Sequence, residues 1–93
     1  MSDEVYSRVI QEYDGKQLRL VVNEFRGIEY LHVREYYQDF DESFRASSKG
    51  VSMPLTIENS RELFAGLLEI LSLAESKELI LQHFKELIED TYQ

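Results

Sequence analysis

The chain contains no cysteine and no tryptophan among its 93 residues, and it has only one proline and four glycines. Without cysteine, neither a disulfide framework nor a thiolate metal site can form, which is typical of proteins from reducing compartments. The apolar runs are shorter than a membrane-spanning helix requires. With 43% apolar residues, the composition predicts a globular chain, and we expect one domain over residues 1–93.

Positive charge is also scarce. Ten Lys and Arg residues face 18 Asp and Glu residues, which gives a net charge of −8. Such a chain repels duplex DNA at long range. The imbalance is uneven, because residues 1–50 hold seven bases against ten acids (−3), whereas residues 51–93 hold three against eight (−5). A locally positive surface is therefore compatible with the first half only.

The sequence patterns of catalysis and metal binding are missing as well. His32 and His83 are far apart and form no His-x-x-x-His spacing. There is no glycine-rich phosphate loop and no nucleophile elbow. Asp39, Asp41 and Glu42 cluster, but a solvated acidic loop explains them better than acid–base chemistry. We expect no enzyme, no cofactor and no bound metal.

Alternating apolar and polar residues in the first half predict antiparallel strands. The segment Val5–Ile10 is rich in β-branched residues, and it leads to Asp14-Gly15, a strong signal for a hairpin turn. A second strand over Gln17–Phe25 and a third over Ile28–Tyr37 follow, joined by a turn at Arg26-Gly27. These patterns predict a meander of hairpins.

The segments that follow predict a loop, a short strand and a helical region. Gln38–Lys49 is polar and predicts a long exposed loop, and Gly50–Pro54 predicts a short fourth strand that ends at the proline. The expected fold class is α+β: a twisted four-stranded antiparallel sheet over about residues 4–55, then one or two helices over about residues 57–91. Ser72–Ser76 is either a break between two helices or a polar patch in one. Thr56 or Asn59 is the expected N-cap of the first helix.

Basic and aromatic residues alternate between residues 25 and 53. Cations on a sheet bind phosphates, and aromatic rings stack on unpaired bases, so this pattern is typical of a surface for single-stranded nucleic acid. We expect Arg34, Tyr37 and Lys49 to converge on one side of the sheet. Two alternatives stay open: Arg34 pairs with a neighbouring glutamate, or Phe25 and Tyr37 are core or interface aromatics.

Three stretches resemble the single-stranded-DNA-binding domain of the transcriptional positive cofactor 4 family: Phe25-Arg26-Gly27, the run from Leu31 to Tyr37, and Lys49 to Met53. The match extends without a gap from Gly15 through Met53. The resemblance implies a homodimer that binds single-stranded DNA, or RNA, with little sequence preference, in transcription, replication or recombination. The nucleic-acid contacts that it implies fall on Lys16, Phe25, Arg26, Arg34, Tyr37, Arg45 and Lys49.

The chain departs from the family pattern at four positions. Asn23, Ile28 and Ser48 stand where further basic residues are usual, and Tyr37 replaces a tryptophan. Fewer cations and a smaller ring predict weaker or more salt-sensitive binding. The Ser/Lys-rich arm of eukaryotic members does not precede the domain, which favours a microbial or viral form. We then expect a cytoplasmic location: at the nucleoid in a bacterium, or inside the host cell for a virus.

A weaker resemblance and two other functions complete the expectations. Glu4–Ser7 and Arg26–Leu31 are similar to bacterial purine-rich-element-binding (PUR-like) proteins, which also bind single strands. The main alternative is a protein-interaction or dimerisation module on the same scaffold that has lost nucleic-acid binding; Asn23, Ile28 and the acidic helical region favour it. Transcription or replication proteins are possible partners. In a third hypothesis the acidic tail occupies the nucleic-acid site.

Overall fold

The computed structural model describes residues 3–92, and it confirms the predicted order of a four-stranded antiparallel sheet followed by helices. The chain divides into two compact units, Met1–Asn59 and Ser60–Gln93. The sheet lies in the first unit, and most of the helical residues lie in the second. The elements are β1 (Asp3–Tyr13), β2 (Lys16–Phe25), β3 (Ile28–Gln38), β4 (Phe44–Pro54), α1 (Ile57–Ser72) and α2 (Lys77–Thr91).

The strands follow one another across the sheet in the order β1-β2-β3-β4. The β1–β2 turn has positive φ at both central residues, Asp14 (46°) and Gly15 (71°), and the β2–β3 turn repeats this at Arg26 (54°) and Gly27 (80°). Two-residue turns of this kind match the right-handed twist of the strands that they join. Both hairpins predicted from the sequence are therefore confirmed, and the glycines carry the second positive φ at no steric cost.

The predicted loop over Gln38–Lys49 is wrong. β4 begins at Phe44, which pairs with Gln38, and only residues 39–43 form the turn. The Asp39 backbone N–H donates to the Ser43 carbonyl oxygen at 2.8 Å and closes the hairpin. The polar composition was misleading because β4 is an edge strand, where polar side chains are tolerated. An irregularity between Ala46 and Gly50, where β4 has more residues than β3, further interrupts the alternation.

The β2–β3 register has no interruption, so alternate residues divide between two faces of the sheet. We name each face after one of its residues. The Arg34 face carries Gln17, Arg19, Val21, Asn23, Tyr30, His32, Arg34 and Tyr36, and the Tyr37 face carries Lys16, Leu18, Leu20, Val22, Leu31, Val33, Glu35 and Tyr37. The buried side chains are Val21, Tyr36 and Gln17 on the first face and Leu31 on the second.

Two helices follow the sheet, which decides between the one-helix and two-helix alternatives. The Thr56 hydroxyl accepts from the Asn59 backbone N–H at 3.0 Å and caps α1, so Thr56 rather than Asn59 is the N-cap. Ser76 caps α2 in the same way, through the Leu79 N–H. Neither helix within residues 3–92 has both the length and the hydropathy of a membrane-spanning helix.

The helical unit has an apolar groove of its own. The groove has a volume of about 390 Å³. Several of the side chains that line it are half exposed or more, including Leu81 (55%) and Ile88 (61%). Its lining is Leu68, Ile80, Leu81, Phe84, Lys85, Ile88 and Glu89.

Candidate nucleic-acid interface

The strand register places Arg34 and Tyr37 on opposite faces of the sheet. Tyr37 pairs with Lys16 on β2 and with Arg45 on β4, so these three residues form one row on the Tyr37 face. Arg34 pairs with Arg19 on β2 and Gly50 on β4, on the other face. The expectation that Arg34 and Tyr37 share one side is therefore wrong, because an odd number of steps along a regular strand reverses the side-chain direction.

Arg34 is fixed by a neutral partner. Its Nη1 donates to the Ser47 carbonyl oxygen at 3.0 Å, across the β3–β4 pair. Among the side chains of residues 4–92, no carboxylate forms a salt bridge with this guanidinium. Glu29 and Glu35, the alternative partners considered from the sequence, alternate onto the Tyr37 face. Arg34 therefore keeps an uncompensated positive charge on its face.

Arg19 is a second cation on the Arg34 face, and the sequence-based list of contacts omits it. Its guanidinium carbon lies 4.2 Å from the centroid of the Tyr36 ring and 5.8 Å from that of Phe44. Its Nε donates to Gln17 Oε1 at 2.8 Å. The sequence itself implies that Arg19 lies opposite Arg34. A two-residue turn at residues 26–27 pairs each β2 position with the β3 position for which the two residue numbers add to 53.

Lys16 and Arg45, by contrast, have acidic partners. Lys16 Nζ lies 3.9 Å from Glu35 Oε1. Arg45 contacts the carboxylates of Asp39 and Asp41 in the β3–β4 turn. Hydrogen bonds from the Phe40 N–H and from Arg45 lower the pKa of Asp39, and bonds from the Ser43 hydroxyl and N–H lower that of Asp41. These acids stay ionised at neutral pH, so they offset the positive charge of this row.

Phe25 and Arg26 lie at the turn that joins β2 to β3. The Arg26 guanidinium carbon is 5.0 Å from the centroid of the Phe25 ring. Phe25 is 45% exposed and Tyr37 is 42% exposed, so each presents ring surface to solvent. Lys49 lies in the irregular part of β4, where its backbone N–H donates to Ser47 Oγ at 3.0 Å. Lys49 is exposed, and it immediately precedes Gly50, the β4 residue that pairs with Arg34.

His32 adds a titratable group to the Arg34 face. It pairs with Val21 on β2 and Ser52 on β4. Its Nδ1 is buried without a hydrogen-bond partner within residues 3–92. Burial lowers the pKa of His32, and the positive charge of Arg34 lowers it further. The imidazole is therefore neutral at neutral pH and adds no third cation there.

The comparisons with known proteins agree with this architecture. The family model described as Transcriptional Coactivator p15 (PC4) matches residues 13–62, which is 50 of the 93 residues. The solved structure of the Bacteriophage T5 homologue of the eukaryotic transcription coactivator PC4 is 33% identical, with a TM-score of 0.76. The match covers 91% of this chain and 96% of that one. The chain therefore belongs to the PC4 family.

Two further structures share the fold. Both are crystal forms of a PC4 homologue from Burkholderia pseudomallei. The tetragonal form has a TM-score of 0.59 at 23% identity, covering 75% of this chain and 97% of that one. The orthorhombic form has a TM-score of 0.53 at 24% identity, covering 82% and 92%. No curated protein matches the chain.

Proposed function

We propose that this protein binds single-stranded DNA as a homodimer, with little sequence preference, and that the Arg34 face is the main contact surface. The observation that carries the proposal is the uncompensated Arg34 guanidinium in a chain of net charge −8. Phe25 alternates onto the same face, so a cation and an exposed ring are available to one strand. The proposed activity is binding, without a catalytic step.

Two relatives support a proposal for the process served. The family is described as a transcriptional coactivator, and the T5 homologue is described as implicated in recombination-dependent DNA replication. Both processes expose single strands inside a cell. We therefore propose an intracellular role at transiently open DNA.

Lys16, Tyr37 and Arg45 provide a second, weaker contact area. They lie in one row on the Tyr37 face, and acids offset both cations. One strand that contacts Arg34 reaches this row only by passing around an edge of the sheet. A longer oligonucleotide should therefore engage both areas, whereas a short one should engage the Arg34 face alone.

The homodimer is supported by the apolar surface that a single chain leaves exposed. In the helical unit Phe64 is 67% exposed and Ile70 is 65% exposed, besides the groove that contains Ile88 (61%). In the sheet unit Val5 is 59% exposed and Val51 66%. Exposed apolar patches of this kind mark interaction surfaces, and a second copy of the chain would bury them.

The test is a fluorescence anisotropy titration with labelled oligo-dT at low salt. Arg34→Ala should weaken binding about tenfold, since it removes one charge-assisted hydrogen bond. Arg61→Ala is the matched control, because Arg61 carries the same charge on α1, is 79% exposed and contacts only its neighbour Glu62 among the salt bridges of the described residues. Sedimentation equilibrium of the same samples should give twice the chain mass of 11.0 kDa.

Two outcomes would overturn the proposal: wild-type protein that binds no oligo-dT at low salt, or equal losses from Arg34→Ala and Arg61→Ala. The first outcome would favour the alternative of a protein-interaction module. The ion pairs that Lys16 and Arg45 form with carboxylates support that alternative. Competition with oligo-U in the same assay would separate DNA from RNA preference.

A further inference from the structure

Arg19 and Arg34 are paired directly across β2 and β3. Side chains at such positions have Cβ atoms roughly 4.5–5.5 Å apart, and like charges placed this way repel each other. Among the described side chains, those of residues 4–92, no carboxylate forms a salt bridge with either guanidinium. Lys16 and Arg45, by contrast, each have an acidic partner. An anion that contacts both guanidiniums would relieve the repulsion.

The side chain of Arg19 is held before any ligand arrives. Its guanidinium lies over the Tyr36 ring at 4.2 Å, and its Nε donates to Gln17 Oε1. Gln17 is 7% exposed, and its own Nε2 donates to Glu12 Oε2 at 3.0 Å. This second bond fixes which end of the Gln17 amide faces Arg19. The terminal nitrogens of Arg19 keep four N–H donors, since among the described residues only its Nε–H is used.

Arg34 is held on the other side of the pair. One N–H of its Nη1 donates to the Ser47 carbonyl oxygen, which leaves the remaining donors of its guanidinium available. A Cβ at Gly50 would lie 3.0 Å from Arg34 Cζ, so the absence of a side chain there gives the guanidinium its space. Two pre-oriented guanidiniums lose little conformational entropy when they bind an oxyanion.

We propose that Arg19 and Arg34 together bind a single phosphate group of the nucleic-acid strand, and that Gln17 and Glu12 are positioning residues that orient Arg19. The inference rests on the proposed single-strand binding and adds to it a specific phosphate site. Planar guanidinium forks match phosphate oxygens in paired hydrogen bonds. The Tyr36 ring lies against Arg19, and at 8% exposure it serves as a support rather than as a stacking platform.

The first test uses oligo-dT affinity and its salt dependence. Arg19→Gln should weaken binding about tenfold, whereas Arg61→Gln should leave it within about twofold. Because both arginines contact one phosphate, the double variant Arg19→Gln/Arg34→Gln should lower the slope of log K against log salt by about 0.7 in total. Two separate phosphates would instead lower it by about 1.4.

The second test isolates the positioning role. Gln17→Met should weaken oligo-dT binding about threefold in the wild-type background and have no further effect in the Arg19→Gln background. A merely structural role of Gln17 would weaken binding equally in both backgrounds. Arg19→Lys retains the charge and the stem but not the planar fork, so it should restore the salt slope and only part of the affinity.

A third readout does not depend on DNA. Inorganic phosphate should raise the melting temperature above that in chloride of equal ionic strength by a larger amount in the wild type and in Arg61→Gln than in Arg19→Gln, where only the general stabilising effect of phosphate remains. If Arg19→Gln binds oligo-dT as the wild type does while Arg34→Ala is weakened, the shared phosphate site is wrong but the proposed function stands. If the wild type binds no oligo-dT, the proposed function itself fails. Should Arg19→Gln not fold, Arg19→Lys and Gln17→Met carry the test.

Discussion

The replacement of Gly50 by alanine tests how closely β3 and β4 approach beside Arg34. A Cβ at this position would lie 2.9 Å from the Val33 carbonyl oxygen, 3.0 Å from Arg34 Cζ and 3.1 Å from Arg34 Cα. The first and third of these atoms belong to the backbone of the paired strand, so they cannot swing aside as the end of a side chain can. Gly50→Ala must therefore push β4 away from β3 and also displace the Arg34 side chain.

The expected cost is that of inserting a methyl group into a packed site, about 1–3 kcal/mol. In a domain of this size, each kcal/mol lowers the melting temperature by about 4–8 °C. We therefore expect Gly50→Ala to melt roughly 4–24 °C below the wild type and to bind oligo-dT more weakly, because Arg34 is displaced. Thermal unfolding and fluorescence anisotropy on the same preparation measure both effects.

Gly66→Ala is the matched control, because the same atom added there meets nothing within 4 Å. Gly66 lies inside α1, where alanine is favoured over glycine by about 0.5–1 kcal/mol, so this variant should be slightly more stable. A Gly50→Ala protein that melts at or above the wild-type temperature would refute the reasoning about close approach. One that loses stability but binds normally would refute the link between Gly50 and Arg34.

Two further predictions concern charge on the sheet. Asp39→Asn removes a carboxylate that contacts Arg45, so it should tighten oligo-dT binding about twofold at low salt. The control Glu62→Gln should leave binding unchanged. Equal effects of the two variants would contradict a role for Arg45. Burial and Arg34 lower the pKa of His32 below 6.5, so the unfolded chain binds more protons than the folded chain between the two pKa values. Stability should therefore fall as the pH drops through about 6.5. The urea midpoints at pH 5 and pH 7.5 should differ less in His32→Gln than in the wild type. An unchanged difference would show that His32 is not the source of the pH dependence.

The hairpins were predictable because their determinants are local. Asp14-Gly15 and Arg26-Gly27 impose tight turns, and the flanking alternation fixes which residues face each other. The start of β4 was not predictable in this way. Phe44 and Arg45 join the sheet because β3 offers its backbone groups as pairing partners, and this contribution is absent from the polar composition of the segment itself.

The same distinction applies to the candidate site. The sequence indicated Arg34, Phe25 and Lys49 through the family resemblance, but the expected convergence with Tyr37 ignored the two-residue period of β3. Arg19 was omitted because no motif contains it. The two-residue turn at residues 26–27 already implies that Arg19 lies opposite Arg34, but only the structure shows the Tyr36 ring against its guanidinium.

The amino-acid sequence by itself determined the two tight turns, the strand alternation and the membership of the family, since each depends on residues close together in the chain. Only the tertiary structure decided which cations keep their charge. Lys16 meets Glu35 across two strands and Arg45 meets Asp39 across a turn, whereas the register places Arg19 opposite Arg34. The reason is physical: the charge that a side chain presents depends on the groups within a few ångströms of it, and strand pairing rather than chain order brings those groups together.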